Sequence, residues 1–414
     1  MPKQQQRHKD IFDVENIIVA PQLRSKDGIC GAWAPLRIEV RLGTIAELNA
    51  EKRALLVDEL IPKATAYLSN ALAVKPWPGA LRAARTCAAH FEASGVCASE
   101  GPAPTCAIGA RGGSVGMPAD LLDALKVCSS CTTTGSCSDC ATSPAGAGAD
   151  ADFVFFVSAV TTAACTGGAL AYSGTCQRDE LDRPIFGAAN FCPAALSVAP
   201  ADFEAQTATV VHELVHALGF SQASWPLFRD DDGKPRTPRG ADGLPPLVST
   251  TCVDGVTRMT RKPSSNTVVT DSTHGLTVNR MVTPRVAAMA RELFGCSTIT
   301  GAELEHKPAS DSHCYGSHWE QHLFSNELMA PADNYVSKSQ SHGAMSIRMR
   351  STAWNELTLA ALEDSGWYKA SNHSAREYLP FSSRGKGCGH VAEVLHQDCL
   401  RALREGRATY CDVR

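Results

Sequence analysis

No stretch of this chain is long and apolar enough to read as a membrane span. The richest run, Phe153 to Tyr172, is broken by Ser158, Thr161, Thr162 and Gly167-Gly168. It reads instead as a buried strand pair with a turn at Thr166-Gly167-Gly168. The opening MPKQQQRHKD holds no apolar core and no small-residue cleavage site, so no signal peptide is legible in it. The closing ATYCDVR lacks the hydrophobic tail of a lipid anchor. No lysine or arginine cluster stands out, and the formal net charge is only −4 over 414 residues. That removes the electrostatic grounds for a nucleic-acid or membrane-surface partner. The expected partner is a protein or peptide, and the sequence carries no signal for oligomeric state.

Cysteine is abundant. Seventeen of them imply an oxidising setting, because so many free thiols would be a burden in the cytosol. Most are expected in disulfides, in a protein of the secretory pathway, the cell surface or the extracellular space. Residues 87–149 are rich in Gly, Ser, Ala, Thr and Cys and read as an insertion. Within them Cys128-Ser-Ser-Cys131 and Cys137-Ser-Asp-Cys140 invite a zinc-knuckle reading. The close spacing of the pairs and the further cysteines around them favour a disulfide-stapled surface excursion. Cys176 and Cys192 are also available for pairing.

Elsewhere the chain mixes strands and helices. Leu36 to Leu42 alternates apolar and charged residues, the pattern of a strand with one buried and one wet face. From Ala46 to Val74 the residues Leu55, Leu56, Leu60, Ile61, Ala64 and Leu68 recur at helical spacing, with Pro62 starting or kinking part of the helix. Pro184 to Asn190 reads as strand and turn. Trp225 to Arg285 reads as loop-rich; Asp230, Asp232 and Gly233 faintly resemble a calcium loop but lack the closing glutamate, so an exposed turn is expected. Pro284 to Phe294 reads as a short helix ended by Gly295.

Chemistry concentrates in His212-Glu213-Leu214-Val215-His216. On a helix the i,i+4 spacing brings both imidazoles to one face, where they can grip one metal ion, and Glu213 can take a proton from a metal-bound water. Ala208 to Val211, Leu214, Val215 and Leu218 give this helix an apolar body. In the compact metzincin pattern a glycine three residues past the second histidine turns the chain, and a third ligand follows three residues later. Gly219 is in place, but the second position is Gln222, so the third ligand must come from elsewhere. His313, His318 and His322 cluster within ten residues, and Glu320 lies among them.

The chain resembles the leishmanolysin-type metallopeptidases, a metzincin branch in which a long insertion separates the second and third zinc histidines. The resemblance rests on HELVHALGF (212–220), PRVAAMARELFGC (284–296), TGAELE (300–305), GSHWE (316–320), NELMAP (326–331) and LTLAALEDSGWY (357–368), in the family's order. It implies one Zn²⁺ per chain held by His212, His216 and His318, with Glu213 as general base and Met329 in the Met-turn beneath the metal. It implies a zinc-dependent endopeptidase acting on protein or peptide substrates. The alternative is a catalytically silent adhesion or binding protein on the same fold, for which loss of Glu213 or of a ligand would be the sign; neither is seen.

The fold implied is α+β, a metzincin-like two-subdomain catalytic fold. A twisted mixed sheet and the active-site helix lie above the cleft, and a mostly irregular and helical subdomain lies below. The expected divisions are an N-terminal extension at 1–35, at most a propeptide remnant, and an N-terminal catalytic subdomain at 36–220 carrying the 87–149 insertion. An inserted subdomain at 221–306, a C-terminal catalytic subdomain at 307–378 with the third histidine and Met-turn, and a short cysteine-containing tail at 379–414 complete them. Family members have a propeptide whose cysteine blocks the zinc, whereas here no cysteine precedes Cys30. Asn372-His-Ser is a glycosylation sequon.

Overall fold

The computed structural model describes residues 18–19, 32–108, 113–252, 255–273, 276–305, 314–324, 327–331, 356–371 and 384–404. His313, the Asn372 sequon, Cys30 and Cys411 lie outside them. The architecture is α+β, and the chain divides into two compact units, 1–48 with 75–195 and 49–74 with 196–414.

The first unit is built on a mixed five-stranded sheet. Its strands lie in the order Ile18–Val19, Ala171–Arg178, Pro184–Phe191, Phe153–Ser158 and Ile38–Leu42. Phe153–Ser158 is buried along its whole length and runs parallel to both neighbours, as a continuous apolar run should. The run at 153–172 is therefore not the expected strand pair: Phe153–Ser158 is its one buried strand, the short helix Ala163–Thr166 follows, and only Ala171 and Tyr172 begin the next strand, from which Pro184–Phe191 separates it in the sheet. Ile38–Leu42 is an edge strand, and its burial departs from the clean alternation: its first four residues are all half-buried and Leu42 is exposed. Arg41 pairs there with Glu39 and Asp120, so the charged positions are partly covered too.

The 87–149 stretch is stapled as expected. Cys128 faces Cys140 and Cys131 faces Cys137 across one antiparallel hairpin, and both pairs are disulfides, as is Cys87–Cys97. It is not, however, only a surface excursion. Cys106, Ile108, Met117, Leu121 and Leu122 are buried in one core with Val154, Phe156, Ile185 and Phe186 of the central sheet. Cys106–Cys176 ties this part to the sheet, and Cys165–Cys192 closes the neighbouring loop. The apolar positions are scattered among small residues, which hid this core from the sequence pattern.

In the second unit a helix runs from Ala50 to Ala71, and its middle, Leu55–Leu60, widens to a π-helix just before Pro62. Proline lacks an N–H and its ring crowds the carbonyl four residues back, so the turn in front of it loosens without ending the helix. Leu56, Leu60, Ile61, Ala64 and Leu68 form its buried stripe, packed against the helix Phe203–Ala217. Leu72–Val74 leaves the helix as a strand and pairs with Lys369–Ala370.

The expected loop-rich segment contains two hairpins, Leu247–Thr251 with Thr257–Arg261 and Val268–Thr273 with Leu276–Met281. Their strands are rich in Thr and charged residues and carry no apolar alternation. The turn at Asp230 closes on itself through Asp230 accepting from Asp232 and Lys234 backbone N–H, as expected of a plain turn. Pro284–Phe294 is a helix with Gly295 left-handed at its end, as read. Its N-cap residue, Thr283, makes no side-chain cap. Instead the buried carboxylate of Asp364 accepts from Arg285 N (2.7 Å) and Val286 N (3.0 Å) and pairs with the Arg285 guanidinium. No described helix is long and apolar enough to cross a membrane.

Candidate functional site

The motif helix Phe203–Ala217 is fixed at its start by Gln206, whose side chain bonds both the N–H and the carbonyl of Ser197. Val210, Val211, Leu214, Val215 and Ala217 are buried around it, so its rotation is set by packing. At its end Gly219 takes φ +112, a conformation open to glycine, and the chain turns back. The turn brings the Phe220 carbonyl within 2.7 Å of His216 Nδ1. Phe220 itself packs edge-on against Trp225 and Trp319, with ring centroids 5.0 Å apart in each case.

The third histidine arrives on a short antiparallel ladder. Glu305 N donates to the His318 carbonyl (2.8 Å) and Glu320 N to the Glu303 carbonyl (2.8 Å), with Leu304 bridging to Trp319 between them. The TGAELE and GSHWE segments are thus two rungs of one structure. NELMAP joins them: Trp319 N donates to the Met329 carbonyl, and His212 Nδ1 lies 2.7 Å from the Leu328 carbonyl. Met329 is completely buried.

His212, His216 and His318 are the metal-capable group that converges among the described residues, with their ligand atoms all within 4.8 Å of one another. His318 Nε2 lies 3.3 Å from His212 Nε2 and 3.1 Å from His216 Nε2. Each Nδ1 faces an acceptor, namely the carbonyls of Leu328 and Phe220 and, for His318, Glu305 Oε1 at 2.8 Å. A carbonyl or carboxylate oxygen cannot donate, so each Nδ1 must carry the hydrogen, and a neutral ring then points its Nε2 lone pair inward. With all three rings neutral these lone pairs repel at such distances, which a proton on one Nε2 or a metal ion among them would relieve; the donor set could hold a metal ion.

The electrostatics divide the rings. Burial, with the charge of His318 nearby, holds His212 down to about 3, so it is neutral at ordinary pH. Burial also works against a charged His318, but the Glu305 carboxylate outweighs it and raises this ring, helped by Glu213. Glu213 is buried beside the group. Glu320 and His322, the other readings of the third ligand, bond each other at 3.0 Å and are not part of the group.

Gln222, at the position where the compact spacing would place a third ligand, has another task. Its Oε1 accepts from Cys314 N (3.0 Å) and Tyr315 N (3.4 Å), and its own N–H donates to Ser317 Oγ (3.2 Å). Asn279 holds the Cys314 carbonyl from the other side, and Cys252–Cys314 is a disulfide. The approach to His318 is therefore clamped. Sequence reasoning missed Glu305 and the carbonyls of Leu328 and Phe220. Glu305 stands in a segment already singled out, but only the ladder pairs it with His318.

Comparison with known proteins agrees with the motifs. The leishmanolysin peptidase family matches residues 124–411. A leishmanolysin-like peptidase of Drosophila melanogaster is 36% identical over 367 residues, covering 86% of this chain and 50% of that protein. One from Caenorhabditis elegans is 33% identical over 394 residues, covering 88% and 54%. A leishmanolysin homolog of Crithidia fasciculata is 31% identical over 261 residues, covering 63% and 30%. The chain spans about half the length of the first two relatives. By family match and by identity over most of its length, the chain belongs to the leishmanolysin family of peptidases.

Proposed function

We propose that this chain is a zinc-dependent endopeptidase that hydrolyses peptide bonds in protein substrates. One Zn²⁺ would be held by His212, His216 and His318, with Glu213 as general base. The observation that carries the reading is the convergence of three Nε2 atoms, each with its Nδ1 committed to an acceptor. Nitrogens sharing one zinc at tetrahedral angles lie about 3.3 Å apart. The distances of 3.1 and 3.3 Å fit that spacing.

A zinc ion in this position supplies a Lewis acid for the scissile carbonyl and brings the acidity of a water toward neutral pH. The protein's share falls to named groups. Glu213 takes the water's proton and returns it to the leaving amine, so no covalent link to the chain forms. Leu328, Phe220 and Glu305 keep the three rings in the tautomer that points Nε2 inward. Met329, buried beside the Leu328 carbonyl that orients His212, forms the apolar floor of a metzincin-like centre. Seven disulfides among the described residues support an exported protein working at the cell surface or outside the cell.

The test is cleavage of an unstructured protein such as casein, with zinc determined on the same sample, for the wild type and Glu213→Ala. One zinc per chain in both and cleavage only by the wild type is the expected result. Zinc-loaded wild type that does not cleave would favour a binding protein on this fold.

A further inference from the structure

The three histidines are not oriented alike. His212 and His216 sit on a helix and have neutral backbone carbonyls behind them, whereas His318 sits in a bend beside the Leu304–Trp319 bridge and has a carboxylate behind it. We propose that Glu305 is the positioning residue of the third histidine, fixing its ring and its Nδ1–H tautomer so that Nε2 is held toward the other two. The proposal rests on the three-histidine reading of the site.

The contact is built into the fold. Glu305 Oε1 accepts from both His318 Nδ1 (2.8 Å) and Ser317 N (3.1 Å), while Glu305 N donates to the His318 carbonyl (2.8 Å). One residue therefore holds the ring, the His318 carbonyl and the N–H of Ser317 before it. The approach is close enough to require glycine: Gly316 has φ +75, and a Cβ there would lie 2.6 Å from the Glu305 carbonyl oxygen. Glu305 is 7% exposed, so little of its carboxylate faces water.

The chemistry follows from the charge. A hydrogen bond to an ionised acceptor is about twice as strong as one to a carbonyl. It selects the Nδ1–H tautomer and pushes electron density to Nε2, which binds a cation more tightly. A histidine on a helix inherits its direction from the helix, but one at the end of a ladder needs a side chain to aim it.

The experiment uses the full chain as wild type, Glu305→Gln and Glu305→Ala. Zinc affinity is measured by competition with a fluorescent chelator. Imidazole ¹⁵N spectra of the zinc-stripped proteins at pH 8 report the tautomer, and denaturant unfolding of the same samples reports the fold. The alanine variant is expected to bind zinc about 10–100-fold more weakly and to lose the single tautomer at His318. Glutamine can offer its oxygen to the same two N–H groups, so Glu305→Gln should keep the fold and the tautomer while losing several-fold in affinity with the charge. If alanine prevents folding, the glutamine variant decides. A folded variant of either kind that binds zinc within twofold of a zinc-binding wild type overturns the proposal. A folded alanine variant that keeps the wild-type tautomer does so as well. A wild type that binds no zinc instead overturns the three-histidine reading beneath it.

Discussion

Replacing Glu327 by glutamine should make the protein more stable at alkaline pH. Glu327 is buried, and its Oε2 ends a chain of donors: Trp319 Nε1 donates to Thr358 Oγ1 (3.0 Å), which donates to Glu327 Oε2 (3.0 Å). Burial pushes its carboxyl up from the ordinary 4.5 to about 8; the bond from Thr358 opposes this and the nearby Glu356 adds to it. A carboxyl raised in the fold favours the folded state fully below pH 4.5, and that contribution is lost as pH rises through about 8. Each pH step between them is worth about 1.4 kcal/mol, so the loss totals about 5 kcal/mol, of which about 2.5 kcal/mol falls between pH 6 and pH 8.5. Glutamine keeps an oxygen for Thr358 and never ionises. Urea unfolding of both proteins across this range, with disulfides intact and zinc buffered identically, should show the wild type losing about 2.5 kcal/mol relative to Glu327→Gln. Parallel pH profiles for the two proteins would refute the reasoning.

Asp364→Ala should destabilise the protein by about 3 kcal/mol in chemical denaturation, because it strips the cap from the helix Pro284–Phe294 and leaves Arg285 without that partner. Asp364→Asn, which can still accept from the two backbone N–H groups, should lose less. Gln222→Ala should cost about 1–2 kcal/mol for the two orphaned N–H groups at Cys314 and Tyr315, and should weaken zinc binding by loosening the approach to His318. Gln222→His should behave like the alanine variant in a zinc-affinity assay, since that position faces the Cys314 backbone; tighter binding than wild type would contradict the clamp.

Much of the site was legible because its signal is local. The i,i+4 histidines, the apolar body of their helix and Gly219 depend on residues a few positions apart, and so do the ends of the helix Pro284–Phe294. His318 came from resemblance, since spacing alone left His313, His322 and Glu320 open. Glu305 could not be assigned, because nothing in the sequence says that 303–305 pairs with 318–320. The hairpins at 247–261 and 268–281 escaped for a different reason: strands rich in Thr and Arg give no alternation of apolar residues. The sheet order was hidden too, since Phe153–Ser158 pairs with strands from both its sequence sides. The partners of Cys106 and Cys165 are 70 and 27 residues away, and connectivity does not follow from spacing.

The measurement closest to the central claim is zinc K-edge X-ray absorption on the full chain, with metal content determined on the same sample. One zinc per chain is expected, surrounded by nitrogen and oxygen at about 2.0–2.1 Å with the signature of three imidazoles. A shell of sulfur at about 2.3 Å would place the metal on cysteines, and a chain without zinc would leave the three converging histidines without their cation; either contradicts the account.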